Sequence, residues 1–310
     1  FEDLLILFLK SYIDSITNDT TKIEEICFVF PATFTNPQRE IFEFALNNIG
    51  IKQFHNIDDV NAISNVYAIE QFDRFENHPK TVLFIDIGGL SIKAYSVRFL
   101  YDKDRKLPKA HRLSYNINRK QGGAHLTRKI VDYIRNSLGI SNLSDSEYRR
   151  LFGAAEKLKI ELSTEKKSTV IVEDIKNIDR QISLNQSELS DLMDDLINDI
   201  FDLTDKNVEF DEIEIIGGAS KSQLLIEKLQ EKFQKEVRQS LNPESSLSIG
   251  ASYSLSFRHN DQFVPLSIED DHSIYTIKCT TLNGTFPVCE KSKKCSTKLN
   301  LPHDAQLAMF

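Results

Sequence analysis

No stretch of about eighteen consecutive apolar residues occurs in the chain, which excludes a helix spanning a membrane. Basic residues are in deficit, 38 Lys and Arg against 46 Asp and Glu, for a net charge of -8. The acids crowd around 188–214 (Glu188, Asp191, Asp194, Asp195, Asp199, Asp202), and nothing resembles the basic face that a nucleic-acid partner requires. Four cysteines in 310 residues are too few for a disulfide scaffold. Cys27, inside the run ICFVF, reads as a buried apolar residue, and Cys279, Cys289 and Cys295 lack paired zinc spacing. Two glycine signatures are also missing. No G-x-G-x-x-G opens a helix, which disfavours a dinucleotide site, and no G-x-x-x-x-G-K-[ST] is present. The chain opens at Phe1 inside an apolar helical pattern (Leu4, Leu5, Phe8, Tyr12, Ile16), with no charged segment ahead of a cleavage site. That start reads as a fragment of a longer protein, not as a signal peptide.

What is present is a core-forming alternation of apolar runs and amphipathic segments, 40% hydrophobic overall and long enough for two domains or one subdivided domain. ICFVF (26–30) predicts a buried strand. Asn36-Pro37 reads as an N-cap with proline at the first helical position, followed by Ile41, Phe42, Ala45, Leu46 and Ile49 at helical spacing and stopped by Gly50. Strands are expected at 82–86 and 90–99, helices after Gly122-Gly123 and over about 145–162, and short strands within 168–184. Asn185 with Glu188 has the pattern of a capping box, and EIEIIGGASKSQLLIEKLQEKF (212–233) reads as strand, glycine turn, helix. Beyond about 260 the periodicity becomes that of β structure. Leu282-Asn283-Gly284-Thr285 signals a hairpin that sets Cys279 opposite Val288 and Cys289 opposite Lys278.

The chemistry-bearing features are two glycine pairs behind apolar strands, Asp86-Ile87-Gly88-Gly89 and Ile216-Gly217-Gly218. Glycine admits positive φ and lets backbone amides approach a phosphate, and a helix N-terminus adds partial positive charge. Each pair alone reads equally as a tight corner. Together, each at the C-terminal end of a buried strand, they point to two loops clamping one nucleotide. In that reading Asp86 holds a magnesium ion through waters. In the structural alternative it is a strand-end carboxylate bonded to turn amides.

Six ordered segments carry a resemblance: FPATFTNPQRE (30–40), IDIGGLSIKAYSV (85–97), QGGAHLTRKIVDY (121–133), AAEKLKIELS (154–163), IEIIGGASKS (213–222) and LNPESSLSIGAS (241–252). Their order is similar to the nucleotide-binding domain of the seventy-kilodalton heat-shock chaperones, within the actin, sugar-kinase and heat-shock ATPase superfamily. The resemblance covers roughly residues 1–258. It implies an α/β, actin-like (ribonuclease H-like) ATPase domain there, and the opening of a β-sandwich substrate-binding domain over 259–310. It further implies that the family's first phosphate hairpin and catalytic lysine lie upstream of Phe1. ATP or ADP with Mg2+ is the implied ligand.

Carried onto this chain, the family's pattern assigns catalytic positions to Asp59, Asp86 and Ser91. Asp59 stands for a glutamate, Ser91 for a threonine. Nucleotide contacts fall on Gly88, Gly89, Gly122, Gly123, Glu156, Lys159, Ser163, Gly217, Gly218, Ala219, Lys221 and Glu244. Departures cluster at the chemistry: Leu90 replaces a third glycine, Lys93 an aspartate that organises metal and water, and Ile160 an arginine that packs on adenine. A lysine in place of that metal-organising acid would repel or displace the cation, unless it points away along its strand, so the resemblance implies binding contacts better kept than hydrolytic ones. The sequence looks like the family's large divergent branch, which acts as exchange factor and holdase for a main-family heat-shock chaperone and binds unfolded polypeptides. The Val264-Pro265-Leu266 part of the join QFVPLSIEDDHSIYTIK (262–278) and the SIKA turn resemble the branch's endoplasmic-reticulum type and favour the lumen over the cytoplasm. Four N-x-[ST] sequons (Asn18, Asn142, Asn185, Asn283) are compatible with a lumenal protein but arise by chance in an asparagine-rich chain. Competing functions are a cycling foldase, a nucleotide-free scaffold and a small-molecule kinase of the superfamily.

Overall fold

The computed structural model describes residues 2–17, 23, 25–104 and 106–259, and beyond them the backbone of four short strands. The sequons at Asn18 and Asn283, the join at 262–266 and Cys295 lie outside the described residues. The chain divides into two compact bodies. One comprises Phe1–Asn77, Tyr101–Ala110 and Ser245–Glu269; the other comprises His78–Leu100, His111–Glu244 and Asp270–Phe310.

The first body carries α1 (Glu2–Ile16), β1 (Ile26–Phe30), α2 (Asn36–Asn48), β2 (Phe54–Asp58) and α3 (Asp59–Glu70). β1 and β2 pair in parallel, from Ile26↔Phe54 to Phe30↔Asp58. Leu5 and Leu9 of α1 pack with Ala45 and Leu46 of α2. The apolar pattern read along α1 forms a helix, but only part of it is buried. Leu5 is buried, but Leu4, Phe8, Tyr12 and Ile16 are more than half exposed, because the packed line runs 5–9. β1 also departs from expectation, with only Phe30 buried, and Cys27 is half-buried. The cap of α2 sits one residue earlier than read from the sequence. Thr35 holds extended dihedrals and forms a capping box with Gln38, and Pro37 lies inside the first turn. Gly50 follows with φ +86, as a helix stop requires. α8 (Ser246–His259) crosses α3 with Gly250 against the backbone of Ala62, where a Cβ has no room, and Asn65 Nδ2 donates to the Gly250 carbonyl at 3.2 Å.

The second body is organised on β3 (Lys80–Ile87), β4 (Ile92–Asp102), β5 (Leu107–Asn118), β8 (Glu212–Ile216) and β9 (Val237–Arg238), which lie in the order β5-β4-β3-β8-β9 within one sheet. β3 is buried from Thr81 to Ile87 because it is flanked by antiparallel β4 and parallel β8. Its odd-numbered residues Leu83, Ile85 and Ile87 face a large core. α4 (Gly123–Ser137), α5 (Asp145–Glu161), α6 (Gln186–Leu203) and α7 (Gln223–Phe233) contribute to that core, with the hairpin β6 (Lys167–Val172) and β7 (Arg180–Asn185). On the other face Phe84 stacks on Tyr95 and Tyr95 on Tyr115. The capping box at Asn185 and Glu188 forms as expected, and Gly139 closes α4 at φ +65.

The remaining strands are β10 (Ser267–Glu269), β11 (Ile277–Thr281), β12 (Gly284–Cys289) and β13 (Gln306–Met309). β11 and β12 do form a hairpin, but its register is not the expected one. Thr281 pairs with Gly284, so Cys279 lies opposite Phe286 and not Val288. A bulge then sets Cys289 opposite Ile277 and not Lys278.

Candidate functional site

The two glycine turns are built differently. After β3, the amide of Gly88 donates to the Ser91 carbonyl at 3.0 Å, closing a tight corner into β4. The start of α4 docks onto this corner: Gly123 N donates to Gly88 O at 2.9 Å and Ala124 N to Gly89 O at 2.8 Å. Helix N-termini carry unsatisfied amides, and here two of them go to turn carbonyls. Gly122 makes the approach possible. Its φ of 151° and ψ of -177° lie in a region reserved for glycine, and a Cβ there would meet Gly88 O and Gly89 O at 2.8 Å. The second turn follows β8. Gly217, at φ 89°, donates to Pro243 O at 2.9 Å, and a Cβ on it would stand 2.5 Å from Ile87 O and 2.8 Å from Asp86 Oδ1. A 3-10 turn over Gly218–Lys221 leads to Ser222, whose Oγ accepts from Leu225 N at the start of α7.

Between these turns lies a cleft of about 630 Å³. The first corner presents Gly88, Gly89, Gly123 and Ala124; the second presents Gly218, Ala219, Lys221 and Ser222, with Glu244 beside them. α5 supplies Glu156, Lys159 and Ile160 along one wall, and Ser163 follows just past its end. Leu126, Phe152, Leu189, Met193, Leu196 and Leu225 line the apolar part. A volume of this size with apolar walls and a few convergent polar groups suits a small organic ligand.

The polar groups are held in place by one another. Lys159 Nζ donates to Glu156 at 2.7 Å, to Thr127 Oγ1 at 2.9 Å and to Gly123 O at 3.1 Å, and Thr127 Oγ1 donates to Glu156 at 2.5 Å. Burial pushes the Glu156 carboxyl up. The hydrogen bonds from Lys159 and Thr127 and the Lys159 charge outweigh it, so the group is held below its ordinary value and stays ionised. Lys221 and Glu244 pair at 2.6 Å near the second turn, both more than half exposed.

The structure therefore gathers Gly88, Gly89, Gly123, Glu156, Lys159, Ser163, Gly218, Ala219, Lys221 and Glu244 into one cleft. Gly122 and Gly217 shape its ends without lining it. Ser91 takes part through its carbonyl, which closes the first corner. Asp59 belongs to the other body, where it is 1% exposed and accepts from the amides of Ala32 at 2.9 Å and Val60 at 3.1 Å. Those bonds tie the start of α3 to the segment after β1. Sequence reasoning missed the apolar wall and Thr127, since leucines at helical spacing carry no signal that separates a core face from a ligand-facing one.

Asp86 answers the question of the metal. Asp86 and Lys93 are directly opposite in the β3–β4 ladder, and Lys93 Nζ donates to Asp86 Oδ2 at 2.7 Å. The side chains are 12% (Lys93) and 8% (Asp86) exposed. The other carboxylate oxygen faces the bare Cα of Gly217. Among the described residues no group of three or more histidines, cysteines or acids is placed to hold a metal ion. The residues present do not fit Mg2+ held by Asp86. The carboxylate bonded to turn amides is not what forms; a buried ion pair with Lys93 takes its place.

Residues 4–295 match the Hsp70 protein family. The chain belongs to the Hsp70 family. Its fold is accordingly the α/β, actin-like ATPase type, as the ordered segments implied. Among curated relatives it is 26% identical over 283 residues to a heat shock protein homolog of Saccharomyces cerevisiae, covering 87% of this chain and 40% of that protein. It is 25% identical over 266 residues to "Heat shock protein 110" of Caenorhabditis elegans, covering 80% of this chain and 34% of that protein. The chain thus spans two-fifths or less of the length of these relatives.

Proposed function

We propose that this Hsp70-family chain binds an adenine nucleotide, ATP or ADP, in the cleft between the two glycine turns, and that the protein works as a holdase and nucleotide exchange factor for a main-family heat-shock chaperone. One observation carries the reading. Glycine corners separated by more than a hundred residues converge on one cleft, with Glu156 and Lys159, tied together through Thr127, on one wall and an apolar lining besides. The Lys159 and Lys221 ammonium groups suit the phosphates, and the apolar wall suits a base. The pairing of Asp86 with Lys93 supports slow or absent hydrolysis, because phosphoryl transfer depends on preorganised charge stabilisation at the scissile bond. Likeness to the nematode protein named heat shock protein 110, and to the yeast heat shock protein homolog, supports the large branch of the family.

Residues 1–258 form the nucleotide-binding portion in this reading, and 259–310 open a β-rich domain for unfolded polypeptides. The protein resides in the endoplasmic-reticulum lumen, supported by the join at 262–278, the SIKA turn and an exposed sequon at Asn142. The test uses the full chain. ATP affinity and steady-state turnover are measured together, followed by ADP release from a main-family chaperone. Tight binding, background turnover and accelerated release are expected; brisk turnover would identify a cycling foldase, and absent binding a scaffold. A mass decrease on treatment with an endoglycosidase checks the compartment, and an unmodified Asn142 argues for the cytoplasm.

A further inference from the structure

The ion pair at the end of β3 bears on how a nucleotide is held. A carboxylate beside a phosphate site presents one anion to another, and a divalent cation ordinarily relieves that repulsion by standing between them. In this chain the relief is already part of the protein. Asp86 lies two residues before Gly88, at the base of the first corner, and its second carboxylate oxygen packs against Gly217, which precedes the second. The pair itself does not line the cleft. It sits beneath the place where both turns begin, and its neutralising ammonium is delivered by a strand, not by a mobile loop. The register Asp86↔Lys93 is flanked by Ile85↔Ala94 and Ile87↔Ile92, so ladder hydrogen bonds hold the lysine opposite the acid. Both side chains are nearly buried, which limits screening of the pair by solvent.

We propose that Lys93 is a built-in substitute for the divalent cation, so that this chain binds ADP and ATP without Mg2+. The proposal rests on the nucleotide reading of the cleft and deepens it. A neutral Asp86–Lys93 pair offers the phosphates no repulsion for a metal to relieve. An added Mg2+ at Asp86 would have to displace a buried, register-held lysine from its carboxylate and then face its charge. The metal is therefore dispensable for binding, and its place as organiser of attacking water is lost along with it.

The test measures ADP binding to the full chain by calorimetry, in excess magnesium chloride and again in excess EDTA. The expected result is an affinity that changes less than about threefold between the two conditions. Binding that weakens more than about tenfold in EDTA overturns the proposal and leaves the nucleotide reading standing. No binding in either condition overturns both. The Lys93→Asp variant restores an acid and is expected to make binding magnesium-dependent, by about tenfold or more. Lys93→Arg keeps the charge and is expected to stay insensitive to EDTA; a magnesium requirement in that variant also overturns the proposal. The wild-type comparison needs no variant, so a misfolded substitution does not remove the test.

Discussion

Replacing Gly122 by alanine puts a methyl group into the tightest junction of the candidate site. The new Cβ would lie 2.8 Å from Gly88 O, 2.8 Å from Gly89 O and 2.9 Å from Ser91 N. All three are backbone atoms of one corner, so no flexible side chain can swing aside. The dihedrals, φ 151° and ψ -177°, add a cost of about 1–3 kcal/mol for a residue with a side chain. Relief requires α4 to draw back, and that breaks Gly123 N to Gly88 O and Ala124 N to Gly89 O, worth about 1 kcal/mol each. The expected destabilisation is about 3–5 kcal/mol, a large share of the roughly 5–15 kcal/mol that holds a domain together. In thermal unfolding that is a fall of roughly 6–20 °C, taking about 2–4 °C per kcal/mol for a body of this size. The cleft should lose ligand affinity as well, since Gly88, Gly89 and Gly123 all line it. Gly89→Ala is the control: a Cβ there meets nothing within 4 Å, so stability should change by less than about 0.5 kcal/mol. If Gly122→Ala unfolds within about 0.5 kcal/mol of the wild type, the corner yields to a methyl group and the docking of α4 does not depend on a bare glycine.

Other substitutions probe separate parts of the chain. Gly153 lies inside α5 with open space around it, so Gly153→Ala should stabilise by about 0.5–1 kcal/mol, read as a higher urea midpoint at unchanged slope. Glu147 is held from its usual 4.5 down to about 2 by the amides of Ser144 and Lys176 and by the Ser144 hydroxyl. Its contribution is therefore fully present above pH 4.5 and is lost as pH falls toward 2. Glu147→Gln should flatten acid unfolding in that window, as followed by circular dichroism against pH. The Lys221–Glu244 pair is exposed on both sides, so Lys221→Ala should cost less than about 1 kcal/mol of stability, and a larger change in a urea titration would refute that.

Much of the second body was legible because its signals are local and redundant. An apolar run ending in a glycine pair could only be a buried strand with a sharp exit, and β3 and β8 appear where such runs end. The cap at Asn185 was written as a side chain three residues before a glutamate, and Ser144 with Glu147 follows the same rule. The missed details have equally physical causes. The helix cap moved from Asn36 to Thr35 because both residues suit the position, and only Thr35 finds Gln38 in reach. The hairpin register differs by two residues because an Asn-Gly signal names a turn but not which strand residues close it. α1 kept a mostly apolar pattern around its circumference, and packing against Ala45 and Leu46 chose the 5–9 line.

The candidate site divides along the same boundary. Sequence alone determined the family, through six segments in order, and with it the glycine pairs and the α5 residues that carry ligand chemistry. Residue identity also determined that Gly122 and Gly217 could adopt backbone conformations closed to other residues. Tertiary structure decided what those residues do. Two amides after Gly122 bond to the first corner and not to a ligand, because α4 docks there. Leucines of α6 and α7 (Leu189, Leu196 and Leu225) that read as ordinary core line a cleft, a placement only the packed elements set. Lys93, a mere departure from pattern in the sequence, became a partner of Asp86 only through the antiparallel register of β3 and β4. Local propensity writes strands, caps and turns into the chain; which charge neutralises which depends on distances that only the folded sheet sets.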